Sequence, residues 1–391
     1  MGASFAVPVV IVGYARSPFT PANKGALAQT RPDEIAAQVV KALVARVAKQ
    51  GNTTAAKLAE HVEDLIVGCA FPEAEQGFNV ARLIGFLAGL PLSVGGLTIN
   101  RFCGSSMQAI HIAAGAIQMG AGELFVCAGV ESMSRIPIGG FNPMPHPGLH
   151  GKYPQAYMGM GETAENLAKK FKIERSAQDA FALESHKRAA AAQASGGFKD
   201  EIVPIVTGAG TVAVDGCVRA DSTMESLGSL KPAFDAKGTV TAGTSSPLTD
   251  GAAAVMVASE SFAKRHKLPI LARIKSVAIS GCQPEIMGLG PVESSTKALL
   301  RAGLTLGQMD VVELNEAFAA QSLAVLQELK LDTKRVNLHG GAIALGHPLG
   351  ASGARITGKA ALLLKTLKGK YALATQCIGG GQGIATVLER A

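Results

Sequence analysis

The sequence predicts an α/β fold for this chain of 391 residues. Short apolar segments rich in β-branched residues alternate with longer helical segments, as in proteins that pack helices on a sheet. The composition, 48% hydrophobic and 17% charged, is typical of a folded chain and not of a disordered one. Two segments, Thr98–Gly129 and Arg335–Gly379, both run strand, Asn, Gly-containing loop, small-residue helix, strand. This similarity suggests an internal duplication.

The first part of the chain begins with a strand and then alternates helices and strands. Apolar β-branched runs predict the strands, and Pro32 with Asp33 marks the start of the first helix. The helix that follows Cys103 is built largely of small residues, which predicts burial on most of its sides. The predicted elements are strand Val9–Tyr14, helix Pro32–Lys49, strand Asp64–Cys69, helix Asn79–Gly89, strand Gly96–Asn100, helix Ser105–Met119 and strand Leu124–Gly129.

The segment 132–244 has a different character. Pro, Gly, Met and His cluster at 137–151, and amphipathic helices are predicted at Thr163–Lys170 and Ser176–Gln193. An irregular segment of this length is long for a loop, so we predict a lid or a substrate-facing insertion. Strand character returns at Ala252–Ala258.

The last part of the chain repeats the earlier order of elements. Its predicted elements are strand Val311–Leu314, helix Glu316–Leu329, strand Arg335–Asn337, helix Ser352–Leu367 and strand Tyr371–Thr375. The alternation again favours an α/β arrangement.

The formal net charge of +7 admits an anionic partner. A phosphorylated small molecule explains this charge as well as nucleic acid does, and a general solubility role explains it equally. Lys and Arg are scattered and form no long run, so we predict no nucleic-acid partner. The low content of charged residues is consistent with extensive buried surface, including subunit interfaces.

The cysteines predict a reducing compartment. Six Cys in a chain of this length form no disulfide framework, and the absence of a Cys-x-x-Cys pair predicts no metal site. The N-terminus lacks the basic segment of a secretion signal, no apolar run is long enough for a membrane span, and the C-terminus carries no peroxisomal tripeptide. We therefore expect a cytoplasmic protein.

Cys103, His347 and Cys377 each lie close to glycine. Glycine occurs where a backbone turns sharply or approaches a ligand closely. A His fixed in such a loop can titrate near neutral pH and can donate to a developing oxyanion. A Cys between a strand and a helix meets the positive end of the helix dipole, which favours the thiolate. These residues indicate covalent thiol chemistry.

Four motifs resemble those of the thiolase family. They read Asn-Arg-Phe-Cys-Gly-Ser-Ser at 100–106, Asn-Glu-Ala-Phe-Ala at 315–319, Gly-His-Pro-Leu-Gly-Ala-Ser-Gly at 346–353 and Cys-Ile-Gly-Gly-Gly at 377–381. They occur in the family's order and spacing, which is far more specific than one Gly-rich loop. The resemblance covers essentially the whole chain.

The resemblance implies a fold of two duplicated mixed-sheet halves, layered α-β-α-β-α, with an inserted loop domain. We expect the N-terminal half to comprise 1–122, completed by 246–272, and the inserted domain to comprise 123–245. The C-terminal half would then comprise 273–391.

The resemblance also implies catalytic roles. Cys103 resembles the nucleophile that takes up the acyl group, and His347 resembles the base that deprotonates it and helps to hold the enolate oxygen. Cys377 resembles the acid/base that exchanges a proton with the α-carbon of acetyl-CoA. Asn315 resembles the residue that holds a catalytic water. The N–H groups of Cys103 and Gly379 would form an oxyanion hole. The alternative for each Cys and for the His is a structural role in the core.

Coenzyme A is implied as a co-substrate, and no cofactor is expected to stay bound. Ser246 resembles a residue that contacts pantetheine, Met160 lies in a motif near the reacting thioester, and Phe318 is expected to line the acyl or pantetheine tunnel. Arg219 resembles a basic residue near the adenine and phosphate end, although a surface Arg is often only solvated. Pro247 stands where the family often has Gly.

The degradative, β-oxidation branch of the family is favoured because Gly159 stands where short-chain biosynthetic members often have His. The implied reaction is acyl transfer from 3-oxoacyl-CoA to CoA, which releases acetyl-CoA. Two alternatives remain: a biosynthetic acetyl-CoA acetyltransferase, and an inactive thiolase-fold protein that binds acyl chains or serves as a scaffold. A homodimer or homotetramer is implied, and a hydratase/dehydrogenase chain is a possible partner.

Overall fold

The structure, a computed structural model, describes residues 6–391. The prediction about a secretion signal falls partly on residues 1–5, which lie outside that range. The strands are β1 (Val9–Arg16), β2 (Thr20–Pro21), β3 (Asp64–Gly68), β4 (Gly95–Ile99), β5 (Leu124–Ser132), β6 (Ile205–Thr207), β7 (Gly210–Val212), β8 (Thr249–Ser259), β9 (Ala272–Gly281), β10 (Val311–Leu314), β11 (Tyr371–Ile378) and β12 (Gln382–Glu389). The helices are α1 (Pro32–Gln50), α2 (Ala55–Ala59), α3 (Val80–Leu87), α4 (Ser105–Gln118), α5 (Pro147–Lys152), α6 (Met160–Phe171), α7 (Arg175–Ala194), α8 (Met224–Gly228), α9 (Glu260–Arg265), α10 (Gly290–Ala302), α11 (Ala319–Leu329), α12 (Ala342–Leu345) and α13 (Leu349–Leu367).

A large mixed sheet runs through the molecule in the order β10-β11-β12-β9-β1-β8-β5-β3-β4, with β2 paired to β8. The pairs β3–β4, β3–β5 and β10–β11 are parallel, and the other pairs along this path are antiparallel. At the centre, β1 pairs with β9 only through Val10–Arg273 and Ile11–Ala272. The sheet is therefore two halves joined by a short seam.

The two halves repeat one connection pattern. In the first, β3 and β5 are parallel and β8 then β1 follow antiparallel. In the second, β10 and β11 are parallel and β12 then β9 follow antiparallel. Helix α4 leads into β5, and helix α13 leads into β11. This symmetry confirms the predicted duplication.

The hydrophobic cores arrange these elements in layers. One core packs α1 and α3 against one face of the first half, and a second core joins the other face to α4 and α13. The second core also reaches β9 and β11, while a third covers the outer face of the second half with α10 and α11. The order is α-β-α-β-α, as expected, and α4 and α13 form the central layer.

The structure corrects two predicted elements. The predicted strand Arg335–Asn337 is a 3-10 turn, Thr333–Arg335, followed by a single bridge from Val336 to Val312. The predicted helix Glu316–Leu329 begins only at Ala319, because the preceding residues run extended and Phe318 forms a bridge with Ser245. The strands β9 and β12 and the helix α10 were not predicted.

The segment between β5 and β8 carries α5 to α8 and the β6–β7 hairpin. It is tied to β1 by Arg16, which is fully buried and donates to Asp215 at 2.6 and 2.8 Å and to Glu201 at 2.8 Å. Strand β5 itself pairs with β3 and β8 inside the first half of the sheet. Within residues 6–391, no helix is both long enough and apolar enough to cross a membrane.

Candidate active site

Cys103 lies in a 3-10 turn, Phe102–Gly104, between β4 and α4. The turn is strained, because Phe102 has a φ of 42°, a conformation that is uncommon for a residue with a side chain. Asn100 accepts from the backbone N–H of Phe102 at 2.8 Å, and the Ser105 hydroxyl donates to the Phe102 carbonyl at 2.6 Å. The Gln376 amide donates to the Cys103 carbonyl. These bonds fix the turn that presents the thiol.

The Gly379 backbone lies beside the turn that carries Cys103, and its N–H, like that of Cys103 itself, acts to lower the pKa of the Cys103 thiol. Burial raises the pKa of the Cys103 thiol to about 11, these two donors oppose that rise, and the Glu131 carboxylate adds to it. We expected the start of the helix to favour a thiolate, but burial disfavours the charged form and has the larger effect on the pKa of Cys103. The resting thiol is protonated at neutral pH.

Cys377 lies near the end of β11, just before the turn into β12. The turn requires glycine at Gly380 and Gly381, whose φ angles are 78° and 83°. Cys377 is 1% exposed, and its pKa lies well above the ordinary value because of burial and then because of the neighbouring Cys103 thiol. The structure therefore brings the two predicted thiols close together, although they are far apart in the sequence.

His347 lies between α12 and α13, after Gly346, which has a φ of 101°. Its Nδ1 is 2.6 Å from the Ser352 hydroxyl, and its Nε2 is 3.4 Å from the Asn315 side-chain nitrogen. Its backbone N–H donates to the Thr249 hydroxyl at 3.0 Å. Both the ring and the main chain of His347 are held in place.

The hydrogen bonds favour one tautomer of His347. The Ser352 hydroxyl donates to the Pro348 carbonyl at 3.1 Å, so its oxygen is free to accept from Nδ1–H. The lone pair then resides on Nε2, on the side of the Asn315 amide; this assignment is inferred from the bonding pattern. Burial, followed by the charge of Arg355, lowers the pKa of His347 to about 3. The expectation of titration near neutral pH is thus wrong, and the ring is a neutral base.

Asn315 and Glu316 follow β10 directly and are buried. The Glu316 carboxylate accepts from Ser185 at 2.6 Å, from Asn337 at 2.8 Å and from the backbone N–H of Ile343 at 3.2 Å. It therefore links α7 of the inserted segment to the loop that leads to His347.

Three of the four residues expected to contact coenzyme A lie at or beside this site. A methyl group added to Gly379 would lie 3.4 Å from the Met160 sulfur, so Met160 borders the Gly379 backbone. Met160 and Phe318 pack in the same small hydrophobic cluster as Cys377. The backbone N–H of Ser246 donates to the Ala317 carbonyl at 3.0 Å, which places Ser246 beside that cluster.

Arg219 is not brought to the thiols by any contact in the structure. It is exposed, and its backbone N–H donates to the ring of the buried His186 at 3.1 Å. Ser352, Thr249 and Gln376 were missed by the sequence reasoning, although each bonds directly to His347 or Cys103. Of these three residues, only Ser352 could have been found from the sequence, because it lies in the same motif as His347. Among residues 6–391, no group of three His, Cys, Asp or Glu is placed to hold a metal.

Comparisons with known proteins agree with this geometry. Residues 9–261 match the family described as "Thiolase, N-terminal domain", and residues 268–390 match "Thiolase, C-terminal domain". A 3-ketoacyl-CoA thiolase of Bacillus subtilis (strain 168) is 46% identical over 394 residues, which cover 97% of this chain and 98% of the relative. One from Vibrio cholerae serotype O1 (strain ATCC 39315 / El Tor Inaba N16961) is 49% identical over 391 residues, or 98% and 99% of the two chains.

Solved structures are similar over the same length. The crystal structure of human mitochondrial 3-ketoacyl-CoA thiolase matches with a TM-score of 0.89 and 40% identity, covering 99% of this chain and 100% of that one. The same human enzyme in complex with CoA matches with a TM-score of 0.90 and 40% identity, covering 100% of both chains. The chain belongs to the thiolase family.

Proposed function

We propose that this thiolase cleaves 3-oxoacyl-CoA with CoA, giving acetyl-CoA and an acyl-CoA shortened by two carbons. The observation that carries the proposal is the pair of buried thiols, Cys103 and Cys377, whose segments meet where the Gln376 amide donates to the Cys103 carbonyl. Relatives and solved structures named 3-ketoacyl-CoA thiolase support it over the whole chain.

Cys103 acts as the nucleophile and His347 takes its proton. The pKa of the Cys103 thiol is raised to about 11 and that of the His347 imidazole is lowered to about 3, so the neutral thiol–imidazole pair is strongly favoured over the thiolate–imidazolium pair. Proton transfer therefore accompanies attack on the 3-keto carbon, where the new bond and the oxyanion hole stabilise the product. The neutral Nε2 of His347 is the form that can accept this proton.

Cleavage then needs an acid and later a thiol exchange. The C2–C3 bond breaks, its electron pair forms the enolate of acetyl-CoA, and the acyl group stays on Cys103. Cys377, which is protonated at neutral pH, gives its proton to C2 of the enolate. The thiol of CoA finally gives its proton to the Cys377 thiolate and attacks the acyl carbonyl, and the departing Cys103 sulfur takes its proton back from His347.

Two sets of donors would stabilise the developing oxygen charges. The N–H groups of Cys103 and Gly379 suit the tetrahedral intermediate, since the Gly379 backbone lies beside the Phe102–Gly104 turn that carries the thiol. His347, together with a water held by Asn315, suits the enolate oxygen, since the two side chains lie 3.4 Å apart.

For coenzyme A, we propose that Met160 and Phe318 border the reacting thioester and that Ser246 contacts pantetheine. Their packing next to Cys377 and Gly379 supports this assignment. Arg219 is proposed for the phosphate end, where an exposed cation can meet an anion without a burial cost.

A homodimer, or a tetramer built from it, is proposed from the exposed edge of the sheet. Strand β4 ends the sheet, and Phe78 (95% exposed) and Leu92 (79% exposed) lie in the segments that flank it. An unpaired strand edge with exposed apolar side chains is favourable for pairing with a second copy. A hydratase/dehydrogenase chain is proposed as a further partner on the family resemblance alone.

The six free cysteines include two that must stay reduced for this chemistry, which supports a cytoplasmic location. The proposed division of the chain keeps two halves and an inserted domain. Because β5 pairs within the first half, we move the start of the inserted domain from 123 to the end of β5 at Ser132.

The test is a thiolysis assay with 3-oxoacyl-CoA substrates of 4, 8 and 16 carbons, on the wild type and on Cys103→Ala. We expect activity that favours the longer chains and disappears in the variant. Activity on the four-carbon substrate alone would support the biosynthetic branch instead. Folded wild-type protein that cleaves none of the three would contradict the proposal.

A further inference from the structure

A buried ion pair joins β10 to α13 close to the active site. Arg355 Nη1 donates to a Glu313 carboxylate oxygen at 3.3 Å, and the side chains are 2% and 1% exposed. Burial raises the pKa of Glu313 to about 7 against the opposing charge of Arg355, so the carboxyl is only partly ionised at neutral pH. A buried pair of this kind contributes little net stability, because the cost of removing the charges from water offsets their attraction. Its position therefore suggests a role other than stability.

On the strand side, the pair is next to Asn315. The backbone N–H of Asn315 donates to the Thr375 carbonyl at 3.0 Å, which continues the pairing of β10 with β11 beyond the end of the strand. Residues two apart on a strand face the same side. Glu313 and Asn315 therefore share a face, and a shift of Glu313 would move Asn315 with it.

On the helix side, the pair is next to the residue that orients His347. Ser352 and Arg355 lie three residues apart on α13, so they share one helix face. The Ser352 hydroxyl is 2.6 Å from His347 Nδ1. The same face of α13 thus holds both the imidazole and the cation that pairs with Glu313.

The contact from His347 to Asn315 completes a closed loop. It joins Nε2 to the Asn315 amide at 3.4 Å, which is long for a hydrogen bond, so a small displacement of β10 against α13 would break it. The Arg355 charge lowers the pKa of His347, so its loss alone would make the ring a stronger base, and the loss of kcat expected below comes from the position of the ring. The ion pair is a direct polar link between β10 and α13, in addition to the packing of Val311 against α13 in the second core.

We propose that Glu313 and Arg355 form a positioning pair that holds the strand bearing Asn315 in register with the helix that orients His347. This proposal rests on the proposed function, since it assigns the pair a part in the same proton transfer. Neither residue touches the substrate in this scheme. They act through Asn315 and Ser352.

The test compares Glu313→Gln, Arg355→Met and Arg355→Lys. Misplacing a catalytic group by about 1 Å can cost on the order of 100-fold, so we expect Glu313→Gln and Arg355→Met to lower kcat by roughly 10- to 100-fold. KM for the acyl-CoA should change little. Because the contact is made by one nitrogen, Arg355→Lys should restore most of the lost kcat.

Lys359→Met is the matched control. Lys359 lies one turn further along α13, is 3% exposed at its side chain and pairs with Glu201 at 2.9 Å, but it leaves the Arg355–Glu313 contact in place. It should lower Tm as much as Arg355→Met while keeping kcat near the wild type. Wild-type kcat in folded Arg355→Met and Glu313→Gln, or equal losses of kcat in Lys359→Met, would overturn the proposal.

A second readout separates this inference from the proposed function. The 15N chemical shifts of the His347 imidazole report on the ring and on its Nδ1–H bond to Ser352 without any acyl-CoA. They should change in Arg355→Met and return towards the wild-type values in Arg355→Lys. If the wild type did not cleave 3-oxoacyl-CoA, the proposed function would fail, yet these shifts would still decide whether the pair positions His347; unchanged shifts would refute it.

Discussion

Replacing Ser352 by alanine should slow thiolysis strongly while leaving the fold intact. The Ser352 hydroxyl lies 2.6 Å from His347 Nδ1 and donates to the Pro348 carbonyl at 3.1 Å, so its oxygen is the acceptor for Nδ1–H. When His347 takes the Cys103 proton, the ring becomes an imidazolium and this bond becomes a bond from a charged donor. The variant removes the acceptor at the step where it is needed most.

The size of the effect follows from the change of charge. A hydrogen bond to a charged group is worth about 1.5–3 kcal/mol, against about 1 kcal/mol for a neutral one. If that charge is developed in the transition state, the difference of about 0.5–2 kcal/mol between the two bonds corresponds to a fall in kcat of roughly 2- to 30-fold. Because the bond stabilises the imidazolium, its loss also lowers the pKa of His347 below its present value of about 3. The ring becomes a weaker base, which also slows the transfer of the Cys103 proton and so adds to the loss of rate.

The assay is the initial rate of loss of 3-oxoacyl-CoA absorbance at saturating CoA, with Tm measured in parallel. Ser294→Ala is the matched control, because Ser294 is also buried in a helix and its hydroxyl donates to a carbonyl four residues earlier, Gly290, at 3.1 Å. Ser294→Ala should show a similar change in Tm and nearly wild-type kcat. A Ser352→Ala enzyme with kcat within a factor of two of the wild type would refute the assigned role of Ser352.

Three further outcomes are expected. The alkylation rate of Cys103 in the free enzyme should rise with pH up to about 11, because a raised pKa keeps the thiol protonated at lower pH; a plateau near pH 8 would contradict this. Gly380→Ala should lower the free energy of unfolding by about 1 kcal/mol, because alanine is strained at a φ of 78°. The added methyl group itself would meet no neighbouring atom within 4 Å. Gly381→Ala should cost more, because its Cβ would lie 2.2 Å from a carbonyl oxygen, and equal Tm values would count against this comparison. Leu92→Glu should shift the protein to monomer in sedimentation velocity, and an unchanged oligomer would place the interface elsewhere.

The sequence was most informative where the chemistry demands particular residue types at short range. Gly346 is needed for a φ of 101° beside His347, and Gly380 and Gly381 form the turn after Cys377. Such requirements are local, so they leave a readable pattern in the chain. The strands and helices that present these residues were predictable for the same reason, since each has its own apolar period.

What the sequence could not provide depends on contacts between distant segments. The Thr249 hydroxyl meets the backbone of His347, and the Gln376 amide meets the carbonyl of Cys103, each from a segment far away in the chain. The false strand Arg335–Asn337 has the same origin, because a short segment becomes a strand only where a neighbouring strand pairs with it, and here only Val336 forms a bridge. Strand β9 alternates buried and partly exposed residues, whereas β1, its counterpart in the first half, is buried along its whole length. The two strands therefore share no sequence pattern that would have identified β9.

The protonation states are the main property that the motifs predicted wrongly, and they bear on how the enzyme controls its thiols. A helix start and a nearby His favour a reactive thiolate by themselves, but burial raises the pKa of both thiols and lowers that of the imidazole. The thiolate, not the thiol, reacts with oxidants and alkylating agents. A site that is neutral at rest therefore leaves Cys103 poorly reactive towards such reagents. It becomes a nucleophile only when a substrate carbonyl in the oxyanion hole makes transfer of its proton to His347 favourable.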